Sequence, residues 1–175
     1  MTRPTSVLLR RRLFDSFQNL TGTIFIDAYA GTGAVGIEAL SRGADSVYFV
    51  EKFKKPFLVL KKNLSLLETK FSHSEVQYQC ELQEFKRWLI VFKDTYETWQ
   101  LEQRENTLLF FDPPYEFHDD YKNIALADIL GGGWFLGQLW LESDNHKGVP
   151  LSFWQSQNIL IKKTFKQGSN FLIII

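Results

Sequence analysis

The chain has 175 residues, 45% hydrophobic and 15% aromatic, enough for one domain with a real core and too apolar for a disordered protein. Its 20 Lys and Arg offset 20 Asp and Glu, so no net charge draws it to nucleic acid and only local clusters could do so. One cysteine, Cys80, excludes an internal disulfide, His73, His118 and His146 are too scattered to bind a metal, and no apolar run suits a membrane span or signal peptide, so a metal-free, cytosolic protein without membrane contact is expected.

In chain order, Leu9, Leu13 and Phe17, with Leu20 beyond, repeat at helical spacing after "RPTS", predicting an N-terminal helix capped by Thr5 or Ser6. "GTIFID" reads as a buried strand broken by "AGTG", and "AVGIEALSRG" as a helix closed by Gly43. "SVYFVE" is a second strand. "KPFLVLKKNLSLL" is an amphipathic helix with Phe57, Leu60, Leu64 and Leu67 on one face. "EVQYQC" alternates as a third strand, followed by helical "LQEFKRWLIVF", a fourth strand "TLLFFD", a helix around 121–130 and a fifth strand "GQLWLE". "NILIKKTF" and "NFLIII", joined by "KQGS", predict a closing hairpin.

Such alternation predicts an α/β fold with a mostly parallel sheet and one antiparallel strand near an edge. Ligands of such sheets bind beyond the carboxyl ends of the strands, where Asp27, Glu51, Glu81 and Asp112 are expected. Four acids at one sheet end repel one another unless a ligand or solvent separates them.

"GTGAVG", with Gly31, Gly33 and Gly36, matches GxGxxG between a strand and a helix. A tight, closely packed turn would account for much of it. Glu51 closes the next strand, where an acid accepts hydrogen bonds from ribose hydroxyls. Asp27 at the mouth of the loop would repel a pyrophosphate and attract an ammonium. S-adenosylmethionine combines adenosine with an ammonium and carries no phosphate, so it is the expected cofactor. Glu81 could reach the adenine amine, or could simply be a solvated acid opening the next helix.

"DPPY" at Asp112–Tyr115 addresses a different chemistry. The lone pair of an exocyclic nucleobase amine is delocalised into the ring. Two acceptors aimed at its two N–H groups, the Asp112 carboxylate and the Pro113 carbonyl, would turn that lone pair out of the ring plane. Pro113 and Pro114 restrict the backbone so that both acceptors point one way. Tyr115 offers a face on which an extruded base stacks, worth roughly 1–3 kcal/mol. Phe110 and Phe111, just before, read as core.

"DAYAGTGAVGIEALSRGADSVYFVE", "DPPY" and "LWLES", with the opening "RPTS…R..LF", resemble the RsmD family of bacterial 16S rRNA (guanine-N2) methyltransferases from Arg3 to near the C-terminus. The resemblance implies a class I (Rossmann-like) S-adenosylmethionine-dependent fold, with a seven-stranded, mostly parallel sheet ending in the antiparallel hairpin. It implies one domain, 1–175, with an N-terminal helix over 1–20 and the core over 21–175. Asp27, Ala28, Gly31, Thr32 and Gly33 would line the methionine part of the cofactor, Glu51 would hold the ribose, Glu81 would lie by the adenine, and Asn63 in "KKNL" matches the family pattern. Asp112, Pro113, Pro114 and Tyr115 would hold the guanine amine. The partner would be 16S rRNA within the small ribosomal subunit, with Arg3, Arg10, Arg11 and Arg12 as RNA contacts and a monomer as the acting form.

Three positions depart from the family pattern. Its members carry a basic N-terminal hairpin before "RPT", where this chain has only Met1 and Thr2; Arg11 stands where an acid is usual; and Glu81 is the nearest acid where the third strand usually carries Asp. Further basic clusters, at Lys52, Lys54, Lys55, Lys61 and Lys62 and at Lys162, Lys163 and Lys166, are solvated faces unless they converge in space. "DPPY" is shared with adenine-N6 methyltransferases, so an enzyme for adenine or another amine is the nearest alternative. A non-catalytic rRNA-binding or assembly factor on the same fold is a second, and a dinucleotide oxidoreductase, disfavoured by Asp27 and "DPPY", a third.

Overall fold

The computed structural model describes residues 7–69 and 77–175. Arg3, the cap residues Thr5 and Ser6, and His73 lie outside them. Seven strands form one sheet: β1 (Ile24–Asp27), β2 (Ser46–Glu51), β3 (Tyr78–Leu82), β4 (Thr107–Phe111), β5 (Gln138–Asp144), β6 (Lys163–Gln167) and β7 (Asn170–Ile174). Their order is β3-β2-β1-β4-β5-β7-β6. β1 to β5 are parallel, and β7 runs antiparallel between β5 and β6. This is the expected mostly parallel class I architecture with its antiparallel hairpin.

The period-2 alternation of the strands sorts apolar residues onto two faces. In β1 and β4, Phe25, Leu108 and Phe110 face one layer and Ile26, Leu109 and Phe111 the other. The first layer contains α1 (Val7–Ser16), α2 (Ala34–Ser41) and α3 (Lys54–Glu68), which contribute Leu9, Leu13, Val35, Ala39, Leu60 and Leu64. The second holds α4 (Phe85–Glu97), a π-helix (Asp120–Leu130) and α6 (Leu151–Ser156), which contribute Trp88, Leu89, Phe92, Tyr121, Ile124 and Trp154. Every residue of β4 is buried, as a central parallel strand covered on both faces requires.

Several boundaries differ from expectation. β3 runs on to Leu82, so α4 starts only at Phe85. The hairpin strand starts at Lys163 rather than Asn158, and the turn is Gly168-Ser169, with Gly168 at φ 59. α5 (Leu101–Glu105) and α6 are too short for helical periodicity to reveal. No helix among the described residues is long and apolar enough to cross a membrane.

Candidate active site

The carboxyl ends of β1, β2, β4 and β5 open into a cleft of about 1420 Å³. Asp27 to Thr32 line one wall, Glu51 to Pro56 a second, and Asp112 to Phe117 a third. The glycine loop and the "DPPY" segment therefore share one space.

Sheet bonds carry the loop beyond the end of β1. Ala28 N–H donates to the Phe110 carbonyl at 3.1 Å, and Ala30 N–H to the Val50 carbonyl at 2.9 Å. Gly31 (φ 57) and Gly33 (φ 86) then turn the chain with backbone angles that side chains rarely adopt. The glycines differ in what surrounds them. A Cβ on Gly36 would lie 2.3 Å from the Phe49 ring, so this glycine lets α2 close on β2. A Cβ on Gly31 would meet nothing within 4 Å, and Gly31 lines the cleft.

Two acids organise this wall. Glu51 is buried and accepts from Gly31 N–H at 2.7 Å and from Phe53 N–H at 2.6 Å. Asp27 is buried and accepts from Gly36 N–H at 2.9 Å. Burial pushes the Asp27 carboxyl up to about 7; the Gly36 hydrogen bond opposes the rise and the nearby Glu51 adds to it.

Beyond β4, Asp112 is partly exposed, Pro113 is buried, and Pro114 and Tyr115 are partly buried. Phe117 N–H donates to the Pro114 carbonyl at 2.8 Å and closes a turn. Tyr121, on the π-helix, donates from its hydroxyl toward the carbonyls of Pro113 at 3.2 Å and Glu142 at 3.0 Å. The segment after "DPPY" is tied on two sides. The His118 ring Nε2 donates to the Lys147 carbonyl at 3.0 Å, and Lys52 Nζ lies 5.8 Å from the Phe117 ring centre while pairing with Glu84 at 3.1 Å.

Of the expected cofactor residues, Asp27, Ala28, Gly31, Thr32 and Glu51 line the cleft. Gly33 is not among the lining residues; it serves the turn, where a Cβ would meet Leu60 Cδ1 at 2.3 Å. Asn63 also stands behind the wall, donating from Nδ2 to the Thr32 carbonyl at 2.9 Å. Glu81 is a correction. It is exposed, pairs with Val50 inside the sheet and does not line the cleft. Glu84, three residues on at the start of α4, lines it instead. Tyr29, Phe53, Phe85, Glu142, Lys147 and Asn170 also line the cleft and were not anticipated.

Among the expected RNA contacts, Arg10 is partly buried and Arg11 exposed, 3.9 Å from Asp15. Arg12 donates to the Lys166 carbonyl at 2.7 Å, joining α1 to the edge strand β6. Of the exposed lysines at this edge, Lys163 lies on the α1 side of the sheet, its Nζ 5.8 Å from the Phe17 ring centre, whereas Lys166 pairs with Phe171 and points to the opposite face, so this cluster does not gather on one surface; Lys52, Lys54 and Lys55 border the cleft.

The family described as conserved hypothetical protein 95 matches residues 1–173. Ribosomal RNA small subunit methyltransferase D of Haemophilus influenzae is 28% identical over 163 residues, covering 93% of this chain and 77% of that protein. A solved Haemophilus influenzae structure, provisionally described as a methylase, superposes with a TM-score of 0.64 at 26% identity, over 98% of this chain and 97% of the other. An RNA methyltransferase from Salinibacter ruber, solved with S-adenosyl-L-homocysteine, shares the fold at a TM-score of 0.60 and 11% identity, over 98% and 92% of the two chains.

Proposed function

The chain belongs to the conserved hypothetical protein 95 family, the RsmD family, and from that premise we propose that it is an S-adenosylmethionine-dependent methyltransferase for the exocyclic N2 amine of a guanine in 16S rRNA of the small ribosomal subunit. The observation that carries this reading is that Asp27–Thr32 and Asp112–Tyr115 line a single cleft. A cofactor wall and an amine-orienting segment are useful to methyl transfer only when they share a space.

The residues present fit the cofactor. Gly31 leaves open space where a side chain would stand, and the buried, partly protonated Asp27 gains its charge most readily beside an ammonium. Asp27 to Thr32 would hold the amino-acid end and Glu51 the ribose, with Asn63 keeping the Thr32 carbonyl in place. When bound, S-adenosylmethionine supplies an electrophilic methyl group. The protein's part is orientation. Asp112 and the Pro113 carbonyl accept the two amine N–H groups and turn the nitrogen lone pair out of the ring plane. Tyr115 stacks on the base. Asp112 or water takes the proton that the nitrogen releases, and no strong base is needed because an N-methylated aminium is very acidic.

The α1–β6 face, with Arg10, Arg11, Arg12 and Lys163, is the proposed rRNA docking surface of a protein acting as a cytoplasmic monomer. The test is incubation with methyl-labelled donor and unmodified small subunits, naked rRNA or DNA in parallel, followed by nucleoside analysis. Label in N2-methylguanosine from small subunits is expected. Label in N6-methyladenine would replace this reading with the adenine alternative, and no label with the assembly-factor alternative.

A further inference from the structure

We propose that Tyr121 is a positioning residue for methyl transfer, its phenol fixing the Pro113 carbonyl in the attitude that receives the substrate amine. The inference rests on the functional reading above and adds a residue to it.

Carbonyls within a sheet are aimed by the ladder. Pro113 lies two residues beyond the end of β4, and its carbonyl belongs to the Pro113–Pro114 peptide, which has no N–H. Its direction therefore needs an outside partner, and the Tyr121 hydroxyl at 3.2 Å is one. The same single O–H proton is shared with the Glu142 carbonyl at 3.0 Å, so one phenol ties the exit of β4 to the body of β5. A carbonyl oxygen has two lone pairs; one faces Tyr121 and the other remains for an amine N–H.

The ring itself is held. It is fully buried and packs edge-on against Phe111, centroids 5.9 Å apart, and against Trp154 at 6.3 Å. Burial keeps the phenol protonated far above its ordinary range, with the charge of Asp112 acting in the same direction, so it stays a donor. Tyr121 stands in the first turn of the π-helix, beside Asp120, which accepts from the Tyr29 hydroxyl at 2.9 Å. Consecutive residues of that turn thus brace the two cleft walls, one carrying the glycine loop and the other "DPPY".

A purely structural phenol would only share its proton between two carbonyls. The two roles separate in Tyr121→Phe, assayed in steady state with small subunits, with S-adenosylhomocysteine stoichiometry measured by calorimetry. A positioning role predicts kcat lowered about 10–100-fold, KM for donor and subunits within about twofold, and stoichiometry near one per chain. A kcat within about twofold of the unaltered protein overturns the proposal. So does a fall in kcat matched by a fall in binding-competent chains, or a variant that binds no S-adenosylhomocysteine; each assigns Tyr121 to the fold. If the unaltered protein transfers methyl groups while the variant behaves in any of those three ways, only this inference falls. If the unaltered protein transfers nothing, the functional reading falls and takes this inference with it.

Discussion

Gly36 N–H donates to Asp27 Oδ2 at 2.9 Å, fastening the last residue of β1 to the first turn of α2. That bond does not offset the cost of burying the acid, whose carboxyl is pushed from 3.8 up to about 7. Between those values the folded chain keeps a proton that the unfolded chain has lost, so this group's contribution to stability falls as pH rises from about 4 to about 7 and stays at its lowest above that. Asp27→Asn should remove the slope. In urea melts it should match the unaltered protein near pH 4 and exceed it at pH 8 by up to about 4 kcal/mol. If the cleft holds an ammonium beside Asp27, S-adenosylhomocysteine affinity should rise roughly tenfold from pH 6 to pH 8, and Asp27→Asn should flatten that rise. Equal slopes in the two proteins would exclude Asp27 as the titrating group.

Gly31 and Gly36 should separate ligand binding from folding. Gly31→Ala places a methyl in open space with left-handed strain of about 1–2 kcal/mol, so the protein should fold and bind S-adenosylhomocysteine at least about tenfold more weakly. Gly36→Ala drives a methyl into the Phe49 ring, with an expected loss of about 1–3 kcal/mol from overpacking. Calorimetry and thermal melts on both variants check the contrast. A strongly destabilised Gly31→Ala would contradict it.

Asp112→Ala should keep S-adenosylhomocysteine affinity within about twofold while kcat falls at least about 100-fold, because an orienting acceptor is lost and the cofactor wall is not. Transfer surviving at near the original rate would remove Asp112 from the chemistry.

Charge reversal on the α1–β6 face addresses docking. Lys163→Glu and Arg10→Glu should each weaken rRNA binding across sequences and reduce the slope of log K against log salt by about one, with cofactor affinity unchanged. An unchanged salt slope would place the RNA elsewhere.

The strand ends were the legible part of this site. Asp27, Glu51 and Asp112 close runs whose apolar character is local, so their position at the sheet edge could be read directly. Glu81 could not, because the length of β3 depends on its pairing with β2, and two more residues of pairing carry the chain to Leu82 before Glu84 reaches the cleft. Tyr121 and Tyr29 carry no such local signal. Their hydroxyl partners lie 8, 21 and 91 residues away, and a contact at that separation leaves no periodicity to detect. Asn63 was found by its pattern but not its action, since it touches the loop backbone from behind.

The place of β7 in the sheet affects how the protein is made. The strand that belongs beside β5, Asn170–Ile174, comes about 25 residues after it in the chain, so β5 has one side unpaired until β7 is free to join it. β6 arrives first but pairs only with β7, so it must wait too. For that interval the nascent chain presents the apolar "LWL" of β5 as an open edge, which is an aggregation template. Asn170 also lines the cleft, so an unfinished chain lacks part of its site as well as a sheet strand. Synthesis itself thus delays completion of the cleft until β7 has been released.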